Sequence, residues 1–482
     1  MSKLGIQDVT VRDGNQSILA TRMQRKDIIA LARALDKVGF YSLEVWGGAT
    51  FDSAYRFLKQ SAWNNLREVR NAAPNTKLSM LLRGQNIVGY HHYDNDTLER
   101  FIRLTIENGI DILRIFDALN DPDNLRNAFK FTKKHGGEVQ AAIAYTVSPV
   151  HSNEYYVNLV KTYESMGADS ICIKDMAGII SPQTAYDLVS AIKEATDLPL
   201  NLHSHTTANA TALVMERAMQ AGVDVVDGCI SPFSGGTAHL ADETLLEAAK
   251  LAGRETSLNM DALSDAYYIA DRIVNKYIES GDLRTRSLIP NPKILYSQVP
   301  GGMLSNLLSQ LEQQHSADRL NDVLAEIPKV RKDMGYPPLV TPLSQMVGTQ
   351  AVFNVLLGER YKMVPNEIKD YVQGLYGKAP GELNQEIVDL IMQSTEKKEV
   401  IPPEDLPFIY EDNKKLAREF MGREPLEEEI VACSIFPEPV REYYVERAEK
   451  LKALADQDRN VIKSDETVSF RMVPPASYKG GN

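Results

Sequence analysis

Cysteine is scarce in this chain: three in 482 residues (Cys172, Cys229 and Cys433), far apart and without CxxC spacing. That usage excludes a disulfide framework and points to a reducing compartment. Basic charge is also in deficit, with a formal net charge of −12, so no electrostatic footprint for nucleic acid or acidic lipid is present. No run of about 18 apolar residues occurs. The opening MSKLGIQDVTVRDG carries no apolar signal core. A soluble, cytoplasmic protein is the expectation, and 43 % apolar with 24 % charged residues suits a globular one.

What the sequence does have is alternation. The short apolar runs IQDVTVRD, FYSLEVW, KLSMLLR, DILRIFD, VQAAIAYT, SICIKD, LNLHSH and VDVVDGCI begin near residues 6, 40, 77, 111, 139, 170, 200 and 223. Helix-period segments such as RKDIIALARALDKVGF and PQTAYDLVSAIKEAT separate them. Eight strand–helix units in about 230 residues predict an α/β fold, a (β/α)8 TIM barrel over 1–294. A doubly wound open sheet would alternate too. After about residue 290 the pattern changes to successive helices, among them PGGMLSNLLSQLEQQ, VGTQAVFNVLLG and LNQEIVDLIMQ, predicting a mainly helical domain over 295–455. The tail 456–482 is Pro/Gly-rich and expected to be poorly ordered. The Gly-rich SGGT (234–237) after the eighth strand either turns the chain or binds an anion.

Strand ends of such a barrel are where function concentrates. The first run ends TVRDGNQ, with Asp13 on the parity of Val9 and Val11. The seventh ends NLHSH, and strand alternation puts His203 and His205 on one face, about 6.5–7 Å apart. Two imidazoles so spaced, with an aspartate, are able to share a divalent ion. Lys174 ends the sixth strand on the parity of Ser170 and Cys172. As an ammonium it has no lone pair for a metal. Three readings stay open for it: an ordinary salt-bridged lysine, a Schiff-base amine, or a carbamylated amine that has become an anionic oxygen donor. Arg83, ending the third strand in MLLRGQN, offers a planar fork for a carboxylate. Gln16 follows Asp13 closely, and the glycines of EVWGGATFD permit close backbone approach ahead of Asp52.

Together VRDGNQSILATRM, LEVWGGATFDSAYRFL, MLLRGQNIVGY, LRIFDALND, ICIKDMAGI, NLHSHTT, QVPGGMLSNL and PPLVTPLSQMVGTQAVFNV resemble the biotin-dependent carboxyltransferase family over most of residues 5–455. That resemblance implies a barrel followed by a helical funnel. It implies a divalent metal (zinc, cobalt or manganese) on Asp13, His203, His205 and a carbamylated Lys174. It implies pyruvate or oxaloacetate at Arg83 and Gln16, with the Thr341 hydroxyl moving a proton between enolpyruvate and biotin. Biotin-pocket residues of the family fall on Asp52, Tyr90 and Ser344. A homodimer is implied too.

The chain departs from the family pattern at Gly14, Asn15 and Leu343, and in SGGTAHLADE (234–243), which puts His239 and Leu240 near the mouth of the eighth strand. It shows no biotinylation-type lysine and no nucleotide motif, so biotin is expected in trans, on a carboxyl carrier protein served by a CoA-side carboxyltransferase or a biotin carboxylase subunit. Its late segment EEEIVACSIFPEPVREYYVERAE most resembles the end of the transcarboxylase keto-acid subunit. Three alternatives remain. One is an oxaloacetate decarboxylase alpha-type subunit lacking its biotinyl domain. Another is a metal-dependent Claisen-type synthase or lyase, which shares RDGxQ and HxH. The last is a non-enzymatic assembly core.

Overall fold

The computed structural model describes residues 3–465 except 284, 298 and 300. Eight strands run β1 (Gly5–Asp8), β2 (Ser42–Gly47), β3 (Leu78–Leu82), β4 (Ile112–Phe116), β5 (Glu138–Ala144), β6 (Ser170–Asp175), β7 (Leu200–Ser204) and β8 (Val225–Gly228). All are parallel and close in sequence order, β8 pairing back onto β1. Each begins within two residues of the position expected from its apolar run. Helices cover the outside, so β2, β4 and β6 are buried at every position. Local chemistry sets the helix starts. Ser181, for example, accepts from the Thr184 N–H at 3.1 Å, and a proline occupies the first turn of Pro182–Ala195.

The lumen holds a polar network to which every strand contributes. Arg114 of β4, fully buried, donates to Asp227 of β8 (2.5 Å), Gln140 of β5 (2.5 Å) and Gln7 of β1 (3.0 Å), and lies 3.3 Å from Glu44 of β2. Gln7 then reaches Ser79 of β3 at 2.8 Å, and Asn201 of β7 joins Asp227 (2.9 Å) to Cys172 of β6 (3.3 Å). Inward parity thus runs through Cys172 and Lys174 on β6, and through Asn201 and His203 on β7.

The segment 295–455 divides between two cores. Leu307, Val330 and Val347 centre a second apolar cluster spanning residues 299–391. This unit docks at the C-terminal strand ends. Arg331 donates to Thr146 Oγ1 (2.7 Å) and to the Val147 carbonyl (2.9 Å), and Asn124 to the Tyr376 carbonyl (3.1 Å). Helices Tyr410–Met421, Glu427–Ile435 and Pro437–Asp465 then return to the barrel, where Ala417, Val431 and Val440 join its core. Of the tail 456–482, residues up to Asp465 belong to that last helix, and 466–482 lie outside the described residues. All three cysteines are free and buried. Among the described residues no helix is long and apolar enough to cross a membrane.

Removing a cation from a buried network strands its carboxylates. Arg114→Ala is therefore expected to cost about 3–5 kcal/mol, read as a large fall in the chemical-denaturation midpoint. Arg126→Ala, which breaks only the exposed pair with Asp123, is expected to leave that midpoint essentially unchanged.

Candidate active site

Asp13 does not sit on β1. The first strand stops at Asp8, whose carboxylate takes both the Thr10 hydroxyl (2.6 Å) and the Thr10 N–H (3.1 Å). This side-chain turn competes with the ladder. The chain then winds into a wide turn over Thr10–Gly14, in which the Gly14 N–H reaches back five residues to the Val9 carbonyl at 3.0 Å. The strand parity expected of Asp13 is therefore corrected: the turn, rather than the pleat, aims its carboxylate over the barrel.

His203 and Lys174 do lie on their strands, and His205 follows directly after β7. Asp13 Oδ2 stands 3.4 Å from His203 Nε2, 3.7 Å from His205 Nε2 and 3.7 Å from Lys174 Nζ, all buried. The remaining imidazole nitrogens are anchored: His203 Nδ1 on Asp227 (2.7 Å) and His205 Nδ1 on the Thr237 carbonyl (2.7 Å). A carbonyl only accepts, so His205 donates its Nδ1–H and keeps its Nε2 lone pair facing Asp13. Burial drives both histidines down, His205 to about 3 with His239 adding to the effect, so both rings are neutral and ligand-competent. Burial alone would raise Asp13, but the Arg12 guanidinium, 2.7 Å away, holds its carboxyl well below the usual carboxylate range. A carboxylate and neutral imidazoles fit a divalent cation, and one donor atom from each of Asp13, His203, His205 and His239 falls within 4.8 Å of the others.

Lys174 is the anomaly in this set. Its Nζ lies 2.7 Å from His203 Nε2, so an ammonium there would spend its proton on the lone pair a metal needs. Burial lowers the Lys174 pKa and Asp13 opposes this only in part, which favours the neutral amine.

Above these residues lie two adjoining chambers. The inner one, ≈ 460 Å³, is lined by Asp13, Gln16, Lys174, His205, Arg83 and Ser344 among others, with an apolar side formed by Leu81, Phe116 and Met176. The outer one, ≈ 550 Å³, is lined by Pro342, Thr349, Glu367 and Tyr376. Tyr90, Thr341 and Gln345 line both. The Arg83 guanidinium donates to the carbonyls of Val88 (3.2 Å) and Gly89 (3.1 Å) and lies 4.8 Å over the Tyr90 ring. Gly48 is required beside it, since a Cβ there would stand 2.9 Å from the Val88 carbonyl and 3.1 Å from Arg83 Nη1. Arg12, by contrast, is fully engaged by Glu44 (2.6 Å from its Nε), Asp13 and Gln16. Asp52 is paired with Arg56 at 3.0 Å and lines neither chamber.

Reading the sequence missed Arg12, Glu44, Arg114 and Asp227, which hold the expected ligands in place, and did not number His239 among the donors. Arg12 adjoins Asp13 and was within reach. The others needed partners across strands.

Comparison with known proteins agrees with this geometry. Residues 118–269 match the HMGL-like family model, and residues 294–474 match the conserved carboxylase domain. A pyruvate carboxylase subunit of Methanocaldococcus jannaschii is 48 % identical over 90 % of this chain and 76 % of that protein. The methylmalonyl-CoA carboxyltransferase 5S subunit of Propionibacterium freudenreichii is 41 % identical over 99 % of this chain and 94 % of that subunit. The carboxyl transferase domain of Rhizobium etli pyruvate carboxylase, solved with pyruvate and biocytin, superposes with a TM-score of 0.85 at 30 % identity, covering 92 % of this chain and 78 % of that one. The HMGL-like match alone would leave Claisen-type lyases open, but these relatives span barrel and helical unit together. With such identity running from one end of the fold to the other, the chain belongs to the biotin-dependent carboxyltransferase family.

Proposed function

We propose that this enzyme moves a carboxyl group between biotin, presented on a separate carrier protein, and the pyruvate/oxaloacetate pair. The observation that carries the reading is the wall shared by the two chambers. Thr341 borders both, which is where a hydroxyl relaying a proton between two bound partners must stand. The pyruvate and biocytin of the Rhizobium etli domain support the same pairing.

Arg83, with no carboxylate at ion-pair distance among the described residues, takes the keto acid's carboxylate in its fork, beside Gln16. In the direction from oxaloacetate, the carbon–carbon bond beta to the ketone breaks and its electron pair becomes the enolate of pyruvate. The released CO2 forms a bond to a biotin ureido nitrogen. That nitrogen's proton passes to the Thr341 oxygen as Thr341 gives its own to the enolate carbon. The reverse sequence carboxylates pyruvate. Tyr90, which lines both chambers, Ser344, which lines the inner one, and Asp52, which lines neither, belong to the biotin side through the family resemblance alone. A divalent cation (zinc, cobalt or manganese) on Asp13, His203, His205 and Lys174 would supply positive charge close to the developing enolate.

Lys174 enters that set as a carbamate. The burial that lowers its pKa favours the amine that attacks CO2: an N–C bond forms, one C=O bond becomes C–O⁻, and a proton leaves. Charge balance argues the same way. Were Lys174 an ammonium, the linked buried groups would be three cations (Arg12, Arg114, Lys174) and three carboxylates (Asp13, Glu44, Asp227), and a divalent ion added to them would be uncompensated. Converting that ammonium to a carbamate removes two positive charges and cancels the ion. A carrier protein in trans, a CoA-side carboxyltransferase or biotin carboxylase subunit, a homodimer and a cytoplasmic location complete the reading.

Thr341→Ala is expected to lower biotin-stimulated oxaloacetate decarboxylation by about 100- to 10,000-fold, with Thr341→Ser keeping most of it; an unchanged rate in the alanine variant removes Thr341 from the mechanism. Arg83→Gln is expected to raise KM for oxaloacetate and cost about 10–100-fold in kcat/KM, or about 1.5–3 kcal/mol. Native mass spectrometry in bicarbonate buffer is expected to find one extra CO2 on the wild-type chain and none on Lys174→Ala. Rapid CoA release from acetyl-CoA and 2-ketoisovalerate would instead favour the Claisen-type alternative.

A further inference from the structure

Three imidazoles, rather than two, converge on Asp13. His239 is fully buried and neither of its ring nitrogens has a hydrogen-bond partner. Its Nε2 lies 3.5 Å from Asp13 Oδ2, and its ring is centred 4.3 Å from those of both His203 and His205. A buried polar group left without a hydrogen bond costs about 1–3 kcal/mol, a cost that a ligand at its ring nitrogen would remove.

The spacing identifies the ligand. The three Nε2 atoms stand 3.4, 3.7 and 3.5 Å from one carboxylate oxygen. Metal–donor bonds of about 2.0–2.2 Å, with angles of roughly 90–120° between them, put neighbouring donors about 2.8–3.8 Å apart. The loop carrying His239 is built to deliver it. Gly235 and Gly236 take positive φ (90° and 54°), and a side chain on Gly236 would run into the Ser287 carbonyl. The turn closes through Ala238 N–H to the Gly235 carbonyl (2.9 Å) and Gly235 N–H to the His239 carbonyl (2.9 Å), while Thr206 N–H fixes the Ala238 carbonyl at 2.8 Å. The SGGT stretch therefore turns the chain, and in doing so hangs His239 above the end of β8.

We propose that His239 is a further protein ligand of the divalent ion, giving this chain three imidazoles where the family resemblance implies two. The inference rests on the metal reading of Asp13, His203 and His205, and holds whether or not Lys174 is carbamylated. It also carries an asymmetry. His203 and His205 have anchored Nδ1 atoms, whereas His239 Nδ1 has no partner, so its bond is the weakest of the three.

The test uses the full chain, stripped with a chelator and reloaded with Co²⁺. Affinity is measured by competition with a chromophoric chelator, coordination by the visible cobalt bands, and folding by circular dichroism. His239→Ala and the less disruptive His239→Gln are expected to keep one ion per chain, bind it about 10–100-fold more weakly, and shift the cobalt bands in position and intensity. Wild-type affinity and superimposable cobalt spectra in both folded variants would overturn the assignment while leaving the metal site standing. A wild-type chain that takes up no Co²⁺ would overturn the metal reading itself, and this inference with it.

Discussion

Everything at the mouth of this barrel depends on the pairing of Arg12 with Asp13 and Glu44. Burial raises the energy of a carboxylate, and that guanidinium is the largest of the influences that offset it and hold the Asp13 carboxyl below its ordinary range. One layer below, Arg114 does the same for Asp227: burial would raise that carboxyl, but the guanidinium keeps it ionised, and Asp227 orients His203. Both arginines also reach Glu44, so the two layers form one electrostatic unit. The lumen is thus a charge framework on which a metal centre can be mounted, and its cost is met by mutual pairing rather than by apolar packing.

A second division follows from how the chain is distributed. In the proposed function the barrel supplies acceptor-rich groups for a cation and Arg83 for an anion. The helical unit supplies Thr341 and Ser344 from the segment that opens helix Leu343–Leu357. That unit docks through Arg331 onto the loop after β5, so the hydroxyl proposed to relay the proton and the groups proposed to bind substrate come from different parts of the chain.

How much of this was legible in the sequence varied with the range of the forces involved. Strand positions could be read because apolar runs and helix periods are local signals, and His203 and Lys174 fell where parity put them. Asp13 stands out in the sequence by strand parity, but the Asp8–Thr10 turn ends the strand early, so a turn and not the pleat orients it. Glu44, Arg114 and Asp227 were invisible because each sits inside a strand-like run and acquires its meaning only from partners on other strands. His239 lay in a loop with no periodicity, where only the two glycines hinted at a shaped turn. Leu343 and Asn15, read as departures from the family pattern, are both buried: Leu343 in the second core, and Asn15 holding the Met23 N–H at 3.2 Å. Asn15 acts on packing around the site, whereas Leu343 also lines a small cavity with Arg83, Tyr90 and Thr341.

Transfer and simple decarboxylation differ in where the carboxyl group of the keto acid goes: onto biotin, or into solution. The most direct measurement follows oxaloacetate labelled in the carboxyl beta to its ketone, incubated with the enzyme and biocytin. Transfer puts label on the ureido nitrogen of biocytin, in proportion to the pyruvate formed. Label recovered only as free bicarbonate at every biocytin concentration would contradict it.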